Sequence, residues 1–355
     1  MIFNLPLLLT VVLSKFSILS VARVSNTKTN IFYVILILVL VTCARFWYTM
    51  PDYETYISYF KIIKDGDIAS FVIITNSGPL ALEPLFIFIA QSISKFGNIS
   101  IIFIVFSIIG VTIKALAIRN LTPWFYGAII LYIANYFILH DLIQIRAGIA
   151  TGFIYLSLIP LVKRQHGAFI LCILFGTLFH YSSIIFLFLG LLRVRFIPNL
   201  YFFIFALVIS YVLYFFYLDP ISIATEFFLA IAPTKKGYLL GESGTPFSVM
   251  SAFILQKILI GIVLIFLAER VTYRWPYFSL LLQLYLLGCC VYILFGHFPE
   301  IAVRIANALL FSEILLISSL PIILSPQIIG KFLVIVFGFL QLAVNVFVSH
   351  YFTYA

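Results

Sequence analysis

The sequence predicts an all-α, polytopic integral membrane protein of about ten to twelve transmembrane helices, and three observations carry that prediction. Hydrophobic residues make up 64% of the 355 residues and charged residues 9%, with a mean hydropathy of +1.21. The apolar runs reach the roughly 20 residues that a helix rising about 1.5 Å per residue needs to cross lipid. They are continuous and rich in Leu, Ile, Val and Phe, whereas a membrane barrel would show weakly alternating segments of about ten residues. Backbone polar groups in hydrocarbon must be satisfied within their own segment, so helices are the form these runs take.

The expected spans are 2–22, 31–48, 80–96, 99–118, 123–139, 143–162, 168–192, 197–217, 249–268, 275–295, 301–323 and 329–348, within a single transmembrane domain over 1–355. The first contains Lys15 and lacks a basic start or a small-residue cleavage site, so it reads as a retained helix rather than a removed signal peptide. Two connections are long, 49–79 and 218–248, and both are expected to be extracytoplasmic. In the first, Tyr53, Tyr56, Ile57, Phe60 and Ile63 recur at helical spacing opposite Glu54, Lys61 and Lys64, which predicts an amphipathic interfacial helix with Asp52 as its N-cap. The second carries Asp219-Pro220, Lys235-Lys236-Gly237 and a run from Gly241 to Pro246, a composition of turns.

The net charge of +9 is spread singly or in pairs at segment ends, with no basic block or stripe, so nucleic acid is not an expected partner. Topology signals and contacts with membrane lipids account for it. Cys43, Cys172, Cys289 and Cys290 all fall inside expected spans, which leaves no loop framework of disulfides. Arg23 with Lys28, Lys163 with Arg164, Arg193 with Arg195, and Arg270 with Arg274 each mark a cytoplasmic end, yet they conflict if every span crosses fully. A broken or re-entrant helix at Phe179-His180-Tyr181 removes the conflict, and the same device applies around Glu83-Pro84. Both long loops, the Leu139 to Arg146 turn and the Gly296 to Glu300 turn then face away from the cytoplasm.

Polar residues inside these runs call for a reason, because a charge at the centre of a bilayer costs roughly 2.5 to 3.5 kcal/mol or more. Arg146 opens a segment rich in small residues, Ala147, Gly148, Ala150 and Gly152, which admit close approach of a helix or a ligand. It can snorkel to the interface, or grip phosphate bidentately. His140 and Gln144 share a face, while Arg146 lies roughly 200° beyond Gln144 on a regular helix. Asp141 stands beside them, and His180 sits deep in an apolar run next to Tyr181. Glu300 and Arg304 are in the favourable i, i+4 order for an ion pair, with Asn307 extending their face inwards. Lys257 and Glu313 fall near the middle of spans, where they either pair with each other or sit in a wet cavity. Proline after Glu83 suits a helix start, and the acid complements the positive helix end. No Walker loop, dinucleotide fingerprint, nucleophile elbow or two-histidine metal motif occurs.

Taken together, the run from Pro51 to Tyr56, Glu83-Pro-Leu-Phe86, Ile145-Arg-Ala-Gly-Ile-Ala150, Leu178-Phe-His-Tyr-Ser-Ser183 and a late Arg304 resemble the EpsG-like family of Wzy-type polysaccharide polymerases over roughly residues 31 to 310. Family members often carry glutamine directly after the arginine. Here Ala147 stands there, and Gln144 is the nearest source of such an amide.

The resemblance implies a GT-C-like membrane glycosyltransferase in the cytoplasmic membrane of a bacterium, with its active site facing outwards. Its donor and acceptor would be undecaprenyl-diphosphate-linked oligosaccharides, and a chain-length regulator is a candidate partner. It implies His180, Arg146 and Arg304 as catalytic groups, with Asp52, Tyr53, Glu83, His140, Asp141, Gln144, Tyr181, Glu300 and Asn307 as candidate substrate-binding residues. No cofactor is expected; a divalent metal stays open, though nothing in the sequence supports one. The rival readings are a flippase or transporter of lipid-linked sugar, against which the lack of an internal repeat weighs, and a polysaccharide ligase.

Overall fold

A computed structural model describes Leu36 and residues 52–65, 72–75, 78–94, 99–194, 196–218 and 248–347. The expected spans 2–22 and 31–48 lie, but for Leu36, outside these residues, as do Cys43 and most of the 218–248 connection. The described chain is helical apart from one small hairpin, and it is a multi-pass membrane protein: four helices are long and apolar enough to cross a membrane and six more are shorter and apolar.

The chain divides into two units, Met1–Leu191 with Ile317–Ala355, and Leu192–Leu316. In the first, α1 (Tyr53–Asp65) begins directly after Asp52, whose carbonyl accepts from the Tyr56 amide at 3.0 Å. Its amphipathic pattern is realised against protein: Tyr56, Phe60 and Ile63 are buried while Glu54, Lys61 and Lys64 are exposed. A hairpin of β1 (Val72–Thr75) and β2 (Gly78–Ala81) follows, antiparallel with Val72 opposite Ala81. After a joint at Leu82 and Glu83, α2 (Pro84–Ser94) starts on its proline. Phe60, Phe86 and Phe106 stack in one aromatic core, the last contributed by α3 (Ile99–Leu121).

Next come α4 (Phe125–Asn135), a π-helical segment (Ile138–Ile143) and α5 (Ile145–Val162). The joint at Gln144 leaves helical geometry, with φ −99° and ψ 58°. The regular helix assumed for the His140, Gln144 and Arg146 comparison is therefore absent, and the angular separation argued from it does not apply. The small residues of α5 admit protein: a Cβ on Gly148 would lie 1.8 Å from the His140 carbonyl oxygen, and one on Gly152 would lie 2.7 Å from Ile113.

The apolar run after α5 is broken at the histidine. Helix α6 (His166–Phe179) ends where His180 turns extended, at φ −156° and ψ 110°, and a 3-10 segment (Tyr181–Leu191) follows. The two arms pack on each other: a Cβ on Gly190 would lie 3.3 Å from the ring of Phe169, and one on Gly176 3.7 Å from Ser183. Residues 166–191 thus form a helical hairpin with His180 at its apex. Helix α13 (Gln327–Phe347) completes this unit against α4, where buried Asn345 donates to the Ala134 carbonyl at 2.8 Å.

In the second unit, α7 (Leu200–Phe215), α8 (Ala252–Thr272) and α10 (Pro299–Leu310) each pack on α9 (Phe278–Leu294). The expected span 301–323 is not one helix but three pieces: α10, then α11 (Ser312–Ile317), and, as part of the first unit, α12 (Leu320–Ile323), which follows a turn and has Pro321 at its start. Lys257 and Glu313 meet at 2.6 Å, both withdrawn from solvent, so of the two expected outcomes the pair holds. Cys172, Cys289 and Cys290 are free thiols.

Candidate functional site

Three separate elements bring ionisable groups to one place in the first unit. Helices α5 and α6 run antiparallel, so the start of one and the end of the other lie at the same level, which sets Arg146 near the His180 apex. The joint between β2 and α2 supplies Glu83 between them. One oxygen of its carboxylate accepts from Arg146 Nη1 at 2.6 Å, and the other lies 3.1 Å from His180 Nδ1. The backbone amide of Tyr181 approaches that second oxygen at 3.4 Å, and the Tyr181 hydroxyl donates to the Leu82 carbonyl at 3.1 Å.

Arg146 is also surrounded by rings. Its guanidinium carbon lies 5.7 Å from the centroid of Tyr56, 5.6 Å from Tyr59 and 5.3 Å from Phe86, each within reach of a cation–π attraction of about 0.5 to 2 kcal/mol. The Glu83 side chain is only 5% exposed, whereas those of Arg146 and His180 are 20% and 17% exposed. The carboxylate is sealed behind the two groups it holds, and those two reach the surface. Buried Nε of Arg146 makes no hydrogen bond among the described residues, so part of the guanidinium's donor capacity is unspent.

The other sequence candidates divide by location. Asp52 is half-buried at the start of α1, which Tyr53 opens. Gln144 sits half-buried at the joint ahead of Arg146. Asp141 is committed elsewhere: its carboxylate meets Lys114 of α3 at 2.6 Å and the hydroxyl of Tyr132 of α4, and both members of the ion pair are fully buried. His140 is buried beside it, its ring 5.2 Å from that of Tyr136. Arg304 and Glu300 belong to the second unit, where they form the expected i, i+4 pair at 2.8 Å with Asn307 half-buried on the same helix.

Sequence reasoning missed Lys114, although a lysine in the middle of an apolar run is itself a demand for a buried acid. It gave Glu83 the parts of a helix-start acid and a candidate substrate-binding residue, where the structure makes it the centre of the cluster. Among the described residues no group of three or more His, Cys, Asp or Glu side chains is placed to hold a metal ion.

A family model described as the EpsG family matches residues 30–355, nearly the whole chain. The chain belongs to the EpsG family. Membership ties it to polysaccharide biosynthesis at the membrane. No curated protein and no solved structure matches it. The segments that carried the resemblance in this EpsG-family chain include the ones that supply Glu83, Arg146 and His180 to the cluster.

Proposed function

We propose that this EpsG-family protein is a membrane-embedded glycosyltransferase that joins undecaprenyl-diphosphate-linked oligosaccharide units into a surface polysaccharide, working on the outer face of the cytoplasmic membrane. The observation that supports this reading best is the meeting of a guanidinium and an imidazole on one sealed carboxylate, in an aromatic setting and at one end of an apolar bundle.

The reaction needs an acceptor hydroxyl aligned with the donor anomeric carbon, a group to take its proton, and positive charge for the departing diphosphate. His180 is the proton acceptor in this reading. Arg146 neutralises charge on the diphosphate, which a site of low dielectric makes more effective than water would. Tyr181, 42% exposed beside the apex, offers a ring face to a sugar. Arg304, in the second unit, is a separate candidate that rests on the family resemblance alone.

A reconstituted assay tests this with a defined lipid-linked repeat, comparing the natural protein with Arg146→Ala, His180→Ala and Arg304→Ala at matched expression. A ladder of polymer is expected, with turnover falling about 100-fold or more when His180 is removed. A ladder that survives all three substitutions refutes the assignment. Labelled lipid-linked sugar that crosses the bilayer without polymer identifies a flippase, and transfer only to an acceptor other than a lipid-linked repeat identifies a ligase.

A further inference from the structure

We propose that Glu83 is the positioning residue of the proton acceptor: it fixes the tautomer and aim of His180 while the same carboxylate steadies Arg146. The inference rests on the glycosyltransferase reading for its chemistry, though not for its geometry.

A carboxylate that accepts from a guanidinium at 2.6 Å is ionised, and an ionised carboxylate can only accept hydrogen bonds. Its other oxygen faces His180 Nδ1 at 3.1 Å, so Nδ1 carries the hydrogen and donates it. In the neutral ring the lone pair then belongs to Nε2, the nitrogen on the far side of the imidazole. The approach of the Tyr181 amide to the same oxygen, at 3.4 Å, ties the backbone of the apex to the group that holds its side chain. Because His180 is in extended backbone between two helical arms, its orientation is not dictated by a helix, and this clamp supplies what the helix does not.

In the transfer step the acceptor hydroxyl gives its proton to Nε2 and its oxygen bonds to the anomeric carbon. The bond from that carbon to the diphosphate oxygen breaks, and its electron pair leaves on the diphosphate. The two charges that develop, imidazolium and diphosphate, each have an opposite charge waiting: Glu83 for the first and Arg146 for the second. Among the described residues the ionisable groups gathered at the apex are Glu83, Arg146 and Tyr181, with Tyr56 and Tyr59, whose rings lie by the guanidinium, and Asp52, whose charge acts on Tyr56. A neutral acceptor in place of Glu83 could orient the ring but would stabilise neither cation.

The test is nitrogen NMR of the full chain in lipid nanodiscs with labelled histidine; of five histidine signals, that of His180 is assigned by its loss in His180→Gln. Expected near neutral pH is a His180 ring protonated at Nδ1 with a bare Nε2, replaced in Glu83→Ala by a mixture with the Nε2–H form. A natural protein whose His180 carries its hydrogen on Nε2 overturns the proposal, and that spectrum decides even where the variant fails to fold. In the polymer assay Glu83→Gln is expected to lower kcat about 100-fold or more and to move the acid limb of the rate profile to lower pH, since the imidazolium loses its counter-charge. Glu83→Asp should retain the position of that limb. Loss of thermal stability with an unmoved limb would show a merely structural carboxylate. A natural protein that makes no polymer sinks the glycosyltransferase reading and leaves the tautomer result standing.

Discussion

The ammonium of Lys114 lies 2.6 Å from the carboxylate of Asp141, and neither side chain is more than 1% exposed. Removing one partner strands the other's charge in the interior, which costs about 3 to 5 kcal/mol, whereas an apolar pair of similar volume is often neutral or better. Lys114→Ala and Asp141→Ala are each expected to lower the unfolding temperature in detergent sharply. Lys114→Met with Asp141→Leu should recover most of the loss, tempered by the hydrogen bond that Tyr132 loses with Asp141. Equal damage from single and double variants would contradict this.

The helical hairpin broken at His180 makes a prediction about sidedness. Both feet of residues 166–191 lie at one end of the hairpin, so cysteines placed at Lys163 and Arg193 should react with an impermeant thiol reagent from the same side of the membrane. Opposite accessibility in intact cells would mean that the segment crosses.

Close packing at the start of α5 can be probed at glycine. A Cβ at Gly148 would lie 1.8 Å from the His140 carbonyl, so Gly148→Ala must displace backbone directly beside Arg146. A loss of about 1 to 3 kcal/mol in stability is expected, with a fall in activity beyond it. Gly167, in α6 with open space at its Cβ, is the control; Gly167→Ala should leave melting unchanged or slightly raised.

Arg146→Lys keeps the charge but loses the planar fork and the stacking among Tyr56, Tyr59 and Phe86. The variant should fold at near-natural stability and show a raised KM for the lipid-linked donor, with a smaller change in kcat. Arg146→Ala should also lose stability, because among the described residues Glu83 then keeps only the neutral His180 ring as a side-chain partner. A donor KM unmoved in both variants would remove Arg146 from diphosphate binding.

The span pattern was legible because hydropathy is a property of whole segments, and so was the break at His180, since paired basic residues on both sides of one apolar run could not be reconciled with a crossing. The cost of a lone charge left Lys257 and Glu313 two outcomes, a pair or a wet cavity, and the structure shows the pair. The π-helical segment and the joint at Gln144 were not legible, because they depend on how His140 and Gly148 pack, a contact between backbone atoms that no side-chain pattern announces. The role of Glu83 was hidden for another reason. A glutamate before a proline at a helix start already has a complete local explanation, and only the tertiary arrangement shows that Arg146 and His180 both depend on it.

That shared carboxylate also bears on how the family can drift. With one acid serving two partners from distant parts of the chain, a change at position 83 alone strips both of their shared counterpart, and a change at 146 or 180 alone leaves the buried acid with half its side-chain contacts. Across EpsG-family relatives these three positions should therefore be inherited as a set, altered together or not at all, while the apolar positions between them exchange freely among residues of similar size.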